Sequence, residues 1–365
     1  MNIYLDNVIY TKTKNGGVSN YWFELTKYLL EQKDSETFFF EDKNANLNFH
    51  RKFLDISSDK IIETNGESVF SRLLPIHHNV NDKIIYHSSY YRKLNGAKNQ
   101  LEITTVYDFI HDYFASYINK KLHNVLKYNA IKRSKGVICI SKNTYDDLKK
   151  FCPLKSNQKA EVIHVGVSDD YFPISKESKE SAEVLSKYKL DDEFLLYIGG
   201  RTNYKNFDFV TKIVNENKSL KLVIVGGGIL SKEEISQFTP EAMQRVIYIG
   251  SAFNNELNVF LNNAKALLYP SSYEGFGIPV VEAMRAGCPV IGLNNATINE
   301  VASKSALVIN ELSLLEVANH LKNLENTDFK RQIIESGFEE SKKYSWKKCS
   351  QETYEFYKEI DRSSW

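Results

Sequence analysis

No stretch of this 365-residue chain reaches the roughly 18 apolar residues in a row that a membrane-spanning helix requires. A secretory leader is not expected either. The first residues, MNIYLDNVIY, alternate apolar side chains and include an Asp where a leader would carry a basic region and a longer apolar one, so they read as a strand. Cysteine is sparse: Cys139, Cys152, Cys288 and Cys349 stand far apart, with no CxxC pair and no cluster with histidine, which suggests neither a disulfide framework nor a zinc module. A reducing, cytoplasmic setting is the expectation. No sign of charge prevails, since Lys plus Arg number 47 against 46 for Asp plus Glu, and global charge gives no reason to expect nucleic acid. A complete G-x-G-x-x-G is also absent, at Asn15-Gly16-Gly17 and at Val225-Gly226-Gly227-Gly228 alike, which counts against a nicotinamide enzyme.

What is present is a length suited to two domains and a repeated rhythm. Short apolar runs alternate with segments of helical period, the pattern of parallel sheets with helices on both faces. The first half offers NIYLDNV, TFFFED, KIIYHS, ITTVYDF and GVICIS; the second restarts with FLLYIGG, LKLVIVGGG, RVIYIGS, ALLYPSS and PVIGL. The reading is α/β, two doubly wound Rossmann-like domains: residues 1–170, a polar linker over 171–190, and residues 191–346. Basic residues gather locally at Arg92, Lys93, Lys98, Lys120, Lys121, Lys127, Lys132, Arg133 and Lys135. They form either a solvated helix face or a face for anionic lipid or an anionic acceptor.

In doubly wound sheets ligands bind beyond the carboxyl ends of the strands, and two such domains in tandem imply a cleft. The strand-end loops are therefore the candidate sites. Gly16 and Gly17 follow the first strand and precede a helix; they either form an ordinary turn or let the backbone approach a phosphate or sugar. In the second half a strand runs into Gly199 and Gly200, then Arg201 and Lys205. A planar fork of donors and a mobile point charge suit a diphosphate, the alternative being plain surface cations.

The segment SSYEGFGIPVVEAM, Ser271 to Met284, follows the strand Ala266–Tyr269 and holds Glu274 in a loop. Pro279 suits the first turn of a helix that should stop at Gly287, and Glu282 is expected in that first turn. Glu282 could serve only the helix dipole and Glu274 only solvent. The surrounding apolar residues make burial of two acids costly, so hydroxyl groups of a ligand are the better partners.

These residues resemble the retaining glycosyltransferases of family 4, of GT-B fold, as found in bacterial surface polysaccharide synthesis. The likeness rests on YIGGRTNYKN, LVIVGGG, VIYIGS and YPSSYEGFGIPVVEAMRAGCPVI, in that order, with the E-x7-E spacing of Glu274 and Glu282 its most specific part. Tyr344-Ser345-Trp346 resembles the family's approach to a last helix, here 347–365, that packs back on the first domain. The resemblance implies a nucleotide-diphosphate sugar on the second domain. Arg201 and Lys205 would meet the diphosphate, Glu282 the ribose and Glu274 the donor sugar. Phe276 and Gly277 would give backbone N–H groups, with Gly200, Gly16 and Gly17 lining the donor. Tyr107 stands where relatives have His, followed by Asp108, and either could touch donor or acceptor. Loops around His87, Ser88, Tyr90 and Tyr107 are expected to line the acceptor side.

The implied activity is transfer of a hexose, mannose-type or 6-deoxyhexose, with retention, to a saccharide or lipid-linked oligosaccharide acceptor for O-antigen or capsule. A peripheral contact with the inner membrane surface goes with it. No Asp-x-Asp follows a strand, so metal-independent chemistry without a cofactor is expected, the leaving charge met by Arg201, Lys205 and a helix N-terminus. A non-hydrolysing nucleotide-sugar epimerase, or a catalytically inactive sugar-binding module on the same fold, stays as an alternative. A glycoside hydrolase would use two carboxylates but leave the two cations unexplained.

Overall fold

The computed structural model describes residues 1–64, 73–114 and 117–364, the side chains of 117–122 and 364 excepted. It divides into two units, Met1–Gly166 with Ser345–Trp365, and Val167–Tyr344.

The first unit is built on β1 (Asn2–Asp6), β2 (Glu36–Asp42), β3 (Ile61–Thr64), β4 (Ile76–Val80), β5 (Ile84–Ser88), β6 (Leu94–Ala97), β7 (Gln100–Val106), β8 (Gly136–Cys139) and β9 (Lys159–Val162). Seven of these form a sheet in the order β3-β2-β1-β5-β7-β8-β9, and β4 pairs with β6 in a small second sheet. Every pairing is parallel. Parallel strands covered on both faces need continuous apolar runs, and β5 and β8 are buried at every position. The helix Gly17–Leu30 lies against the helix Trp346–Ser364, with the Tyr28 and Tyr354 rings 6.1 Å apart.

The second unit carries β10 (Phe194–Ile198), β11 (Lys221–Val225), β12 (Val246–Ile249), β13 (Ala266–Tyr269), β14 (Val290–Leu293) and β15 (Leu307–Ile309), in the order β12-β11-β10-β13-β14-β15. All pairings are again parallel. Leu195, Leu222, Ile224, Leu268 and Ile291 from the sheet pack with Val210, Ile213 and Val214 from the helix Phe207–Glu216. Strand order reverses between β10 and β13, so the loops leaving these two strands open at the switch point where ligands of such sheets bind.

The segment expected as a linker, 171–190, instead belongs to the second unit. Its backbone N–H groups at Phe172 and Ile174 donate to the side-chain oxygens of Asn258 and Asn262 at 3.2 and 2.8 Å. Its helix Lys179–Tyr188 is tied to the helix Asn254–Asn263 by Lys187 on Glu256 at 2.6 Å. The segment is polar in sequence because polar groups dock it.

Among the described residues no helix is long and apolar enough to cross a membrane. The basic run is not one solvated face. Arg92 is buried on Asp6 at 2.6 Å, Lys127 is buried on Asp112 at 2.8 Å, and Arg133 is held by Glu102 at 2.8 Å. Lys93, Lys98 and Lys132 are exposed, and the side chains of Lys120 and Lys121 lie outside the described residues.

Candidate active site

At the switch point of the second sheet the loops after β10 and β13 are laced together. Lys205 Nζ donates to Glu274 Oε1 at 2.8 Å. Asn206 Nδ2 donates to the carbonyl of Pro270 and to Ser272 Oγ, both at 2.8 Å, and the Ser272 N–H donates to the Tyr204 carbonyl at 2.7 Å. Asn206 adopts φ +50°, a left-handed position that its short side chain tolerates. Thr297 Oγ1 fixes the Glu274 carbonyl at 2.6 Å. The Lys205 and Glu274 side chains are 16% and 11% exposed, so their attraction is only weakly screened. The buried Tyr269 phenol is pushed up by burial and then by the neighbouring Glu274 carboxylate.

Gly277, at φ +84°, turns the loop into the helix Ile278–Ala286 with no side-chain cap at its N-terminus. Unclaimed N–H groups at a helix start favour an anion. Pro279 sits in the first turn and Gly287 closes the helix at φ +82° with its N–H on Ala283 and Met284. Glu282 is not in the first turn, which contains no acid. The left-handed Gly277 starts the helix at Ile278, so Glu282 is its fifth residue and falls just past the first turn. Burial pushes the Glu282 carboxyl up to about 7, the nearby Tyr171 hydroxyl acting in the opposite direction. The Phe276 ring is buried against Tyr344, with ring centres 5.3 Å apart, so only the backbone of Phe276 can serve a ligand.

Arg201 requires a correction. Its Nε donates to Glu234 at 2.7 Å, Nη1 to the Gly226 carbonyl at 3.0 Å, and Nη2 to the Gly228 and Ile229 carbonyls at 2.8 and 3.1 Å. Four of its five N–H groups are spent and the side chain is 4% exposed. The expected fork for a diphosphate instead shapes the glycine loop after β11, where Gly226, Gly227 and Gly228 all adopt positive φ. Gly200 has open space around its Cα and accepts the Tyr197 hydroxyl on its carbonyl at 2.7 Å.

In the first unit Gly16 stands at φ +149° before the helix Gly17–Leu30, whose N-terminus also has no side-chain cap. Both Gly16 and Gly17 are exposed, and Asn15 holds the turn by accepting the Gly16 N–H at 2.8 Å. His87 is a core residue, not an acceptor-side one. Its two ring nitrogens meet the Tyr357 hydroxyl and, at 3.0 Å, Thr105 Oγ1, and burial pushes its pKa down to about 3. Ser88 is likewise committed, donating to Asp6 at 2.8 Å while accepting the N–H groups of Tyr90 and Arg92. Tyr90 is half-buried against Tyr91 and His123. Tyr107 is buried edge-to-face on Tyr21, ring centres 5.7 Å apart, and its pKa is pushed up by burial. Asp108 Oδ1 accepts the Ile110 N–H at 2.9 Å at the start of the helix Ile110–Phe114.

Sequence reasoning did not single out Asn206, Thr297, Tyr171 or Arg285. Arg285 alone carried a signal, the one cation of a largely apolar helix.

Two doubly wound parallel sheets of this kind give the GT-B fold. Among solved structures the chain is similar to a sucrose-phosphate synthase from Thermosynechococcus elongatus, with TM-score 0.75, 17% identity and full coverage of both chains. It is also similar to Anabaena Alr3699/HepE in complex with UDP and glucose, with TM-score 0.73, 13% identity and coverage of 98% of this chain and 100% of that one. At these identities the likeness shows the fold. Residues 178–342 match the family described as Glycosyl transferases group 1. Among curated relatives it is 28% identical to the O-antigen chain mannosyltransferase B of Escherichia coli, over 52% of each chain. It is 30% identical to the O-antigen chain mannosyltransferase RfbU of Salmonella typhimurium, over 60% of each. The chain thus spans little more than half the length of the curated relatives it matches.

Proposed function

We propose that the protein transfers a hexose, of mannose type or a 6-deoxyhexose, from a nucleotide-diphosphate sugar to a saccharide acceptor carried on a lipid, in bacterial O-antigen or capsule synthesis. The observation that carries this reading is the Lys205–Glu274 pair at the switch point, beside a helix whose N-terminus has no side-chain cap and whose next turn bears Glu282. The names of the mannosyltransferase relatives support the sugar class.

In this reading the diphosphate lies against the backbone N–H groups of Phe276 and Gly277 at the start of the helix and against Lys205, which offset the charge left when the anomeric C–O bond breaks. Glu274 positions the sugar and stabilises its developing positive charge. Glu282 accepts hydrogen bonds from the ribose hydroxyls. The acceptor oxygen forms its bond on the face the diphosphate leaves, and a phosphate oxygen takes the acceptor proton, so configuration is retained without a covalent enzyme intermediate. Lys205 and the helix N-terminus supply the positive charge that a metal ion supplies elsewhere, so transfer proceeds without one. In the basic run the exposed Lys93, Lys98 and Lys132 are placed to meet an anionic membrane surface or acceptor.

The test is nucleotide release from GDP-, UDP- and dTDP-sugars with and without bacterial lipid extract, in buffer containing a chelator. Release that requires extract, is largest with GDP-mannose and persists with the chelator is the expected result. Interconversion of the donor without acceptor would make the protein an epimerase. No release with any combination would make it a binding module.

A further inference from the structure

From Lys43 to Leu54 the chain reads KNANLNFHRKFL, and it folds with its polar and apolar sides exchanged. It leaves the carboxyl end of β2 as two 3₁₀ turns, Lys43–Leu47 and His50–Phe53, whose three-residue period brings every third side chain onto one stripe. The inward stripe is Ala45, Asn48, Arg51 and Leu54, all buried, and its centre is polar. Arg51 Nε donates to Glu41 at 2.7 Å and its Nη1 to the Leu54 carbonyl at 3.0 Å. Asn48 Oδ1 accepts the N–H groups of His50 and Arg51 at 2.9 and 3.2 Å. The outward stripes carry the large apolar side chains instead. Leu47 is 70% exposed, Phe53 66% and Phe49 42%, with the Phe49 and Phe53 ring centres 5.2 Å apart.

A cluster of large exposed apolar side chains is the uncommon case that calls for a partner, and the polar anchor beneath keeps this one from turning inward. Charge shows which partner. No acid occurs from Lys43 to Leu54. Lys43 and Lys52 are exposed beside the apolar side chains. Lys14, also exposed, is brought to Phe49 by the bond from the Phe49 N–H to the Lys14 carbonyl at 2.9 Å. Lys43 meets Glu63 at 3.2 Å, but both side chains stay more than half exposed, a pair of small worth that an anionic surface can replace. The loop that bears Lys14 leads on to Gly16: Asn48 Nδ2 donates to the Thr13 carbonyl at 2.7 Å, and Asn15 Oδ1 lies 2.8 Å from His50 Nε2. The cluster therefore stands at the carboxyl end of β1 and β2, the end of such sheets at which ligands bind.

We propose that Leu47, Phe49 and Phe53, with Lys14, Lys43 and Lys52 around them, are a docking surface for an anionic lipid bilayer. The apolar side chains enter the boundary between headgroups and acyl chains, and the lysines meet the headgroup phosphates. Apolar insertion and charge attraction each give weak binding, and their sum holds a protein at the surface. Leu47, the most exposed of the three, favours a bilayer over a saccharide, because sugar rings stack on aromatic faces and gain little from an aliphatic chain. The surface deepens the reading of an acceptor carried on a lipid, since it sets the carboxyl end of the first sheet against the membrane that holds such an acceptor. Docking itself needs neither donor nor acceptor.

The experiment is co-sedimentation of the full chain with vesicles of phosphatidylethanolamine and phosphatidylglycerol, and with vesicles of phosphatidylcholine alone, at low and high salt. Wild type is expected to bind the anionic vesicles, less so at high salt, and the neutral ones far more weakly. The triple variant Leu47→Ser, Phe49→Ser, Phe53→Ser should weaken that binding by roughly a hundredfold. Lys14→Gln, Lys43→Gln and Lys52→Gln should weaken it by roughly fivefold each. Melting curves confirm that each variant is folded. Phe53→Trp adds a reporter whose emission should be quenched by acyl-brominated lipid beyond that of wild type, and it decides the matter if the triple variant melts early. Wild type that binds neither vesicle, or a Trp at position 53 that is not quenched, overturns the proposal. So does binding that Lys93→Gln, Lys98→Gln and Lys132→Gln together abolish while the triple serine variant retains it. A triple variant that docks normally but loses affinity for a soluble saccharide acceptor also overturns it and makes the cluster a sugar platform. If docking behaves as expected while nucleotide release is indifferent to lipid extract, the surface stands and the lipid-carried acceptor falls.

Discussion

Lys205 Nζ lies 2.8 Å from Glu274 Oε1, a hydrogen-bonded ion pair that joins the two loops leaving the central strands of the second sheet. Either residue alone could be a surface charge. Held together at the switch point, largely out of water, they are a cation and a carboxylate set where a diphosphate and a sugar would meet. Lys205→Ala and Glu274→Ala should each lower transfer by about a hundredfold or more while costing about 1–3 kcal/mol of stability. Turnover assays alongside chemical denaturation check this, and near-normal turnover in either variant would remove the assignment.

Glu282 gives opposite pH dependences to stability and to binding. Its carboxyl is raised from 4.5 to about 7 in the folded protein, so the folded state holds its proton more tightly than the unfolded chain does. The stabilisation from that proton is complete below about 4.5 and is lost as pH rises through 7, amounting to at most about 3 kcal/mol. Relative to Glu282→Gln, wild type should lose stability over that window. Nucleotide affinity should improve over the same window, because the ionised carboxylate accepts from the diol. Denaturant titrations and calorimetry across the range test both halves.

The glycine loop after β11 separates steric from conformational cost. A Cβ on Gly227 would lie 2.5 Å from Arg201 Nη1 and 2.6 Å from the Gly199 carbonyl, at φ +77°, whereas one on Gly228 meets nothing within 4 Å at φ +78°. Gly228→Ala should therefore cost about 1–2 kcal/mol from backbone strain alone, and Gly227→Ala distinctly more. Arg201→Lys should lower the melting temperature of the ligand-free protein, because a lysine cannot hold four acceptors at once. An Arg201→Lys protein that melts like wild type yet loses transfer would return Arg201 to the diphosphate.

His87 sets an acid limit on the first unit. Its pKa falls from 6.5 to about 3 through burial, so it stays neutral in the folded protein while the unfolded chain takes up a proton. Its stabilising contribution is full above about 6.5 and is lost as pH falls toward 3, at about 1.4 kcal/mol per unit. His87→Gln, which does not titrate, should flatten the decline of unfolding free energy between pH 6 and 4. Parallel curves for the two proteins would contradict it.

The central strands were legible because burial on both faces writes itself as unbroken apolar sequence; Ala266–Tyr269 is read to the residue. The short strands Ile61–Thr64 and Leu307–Ile309, each at a sheet edge, carry too few residues for any period to show. The order of motifs in the second half was enough to place Lys205, Glu274 and the proline-started helix. The commitments of individual side chains were not legible. His87 stands at a strand end, where sequence suggests a site, but its partner Tyr357 is 270 residues away. Arg201 looks like a phosphate ligand in sequence, but the glycine loop turns the carbonyls of Gly226, Gly228 and Ile229 onto it. Arg285 shows the same limit in reverse, since it donates to the carbonyls of Val167 and Tyr344, and main-chain acceptors leave no trace in the identity of the residues that supply them.

The first unit is discontinuous, completed only by Ser345–Trp365, whose Tyr357 closes on His87 and whose Tyr354 lies against Tyr28. The second unit is an uninterrupted stretch. During synthesis the earlier half must therefore wait, with part of its core uncovered, while the later half can reach its final form as it leaves the ribosome. The usual N-to-C order of domain maturation is inverted by one helix. Loss of that helix would expose the aromatic core of residues made some 300 positions before it, a hazard of aggregation more than of catalysis.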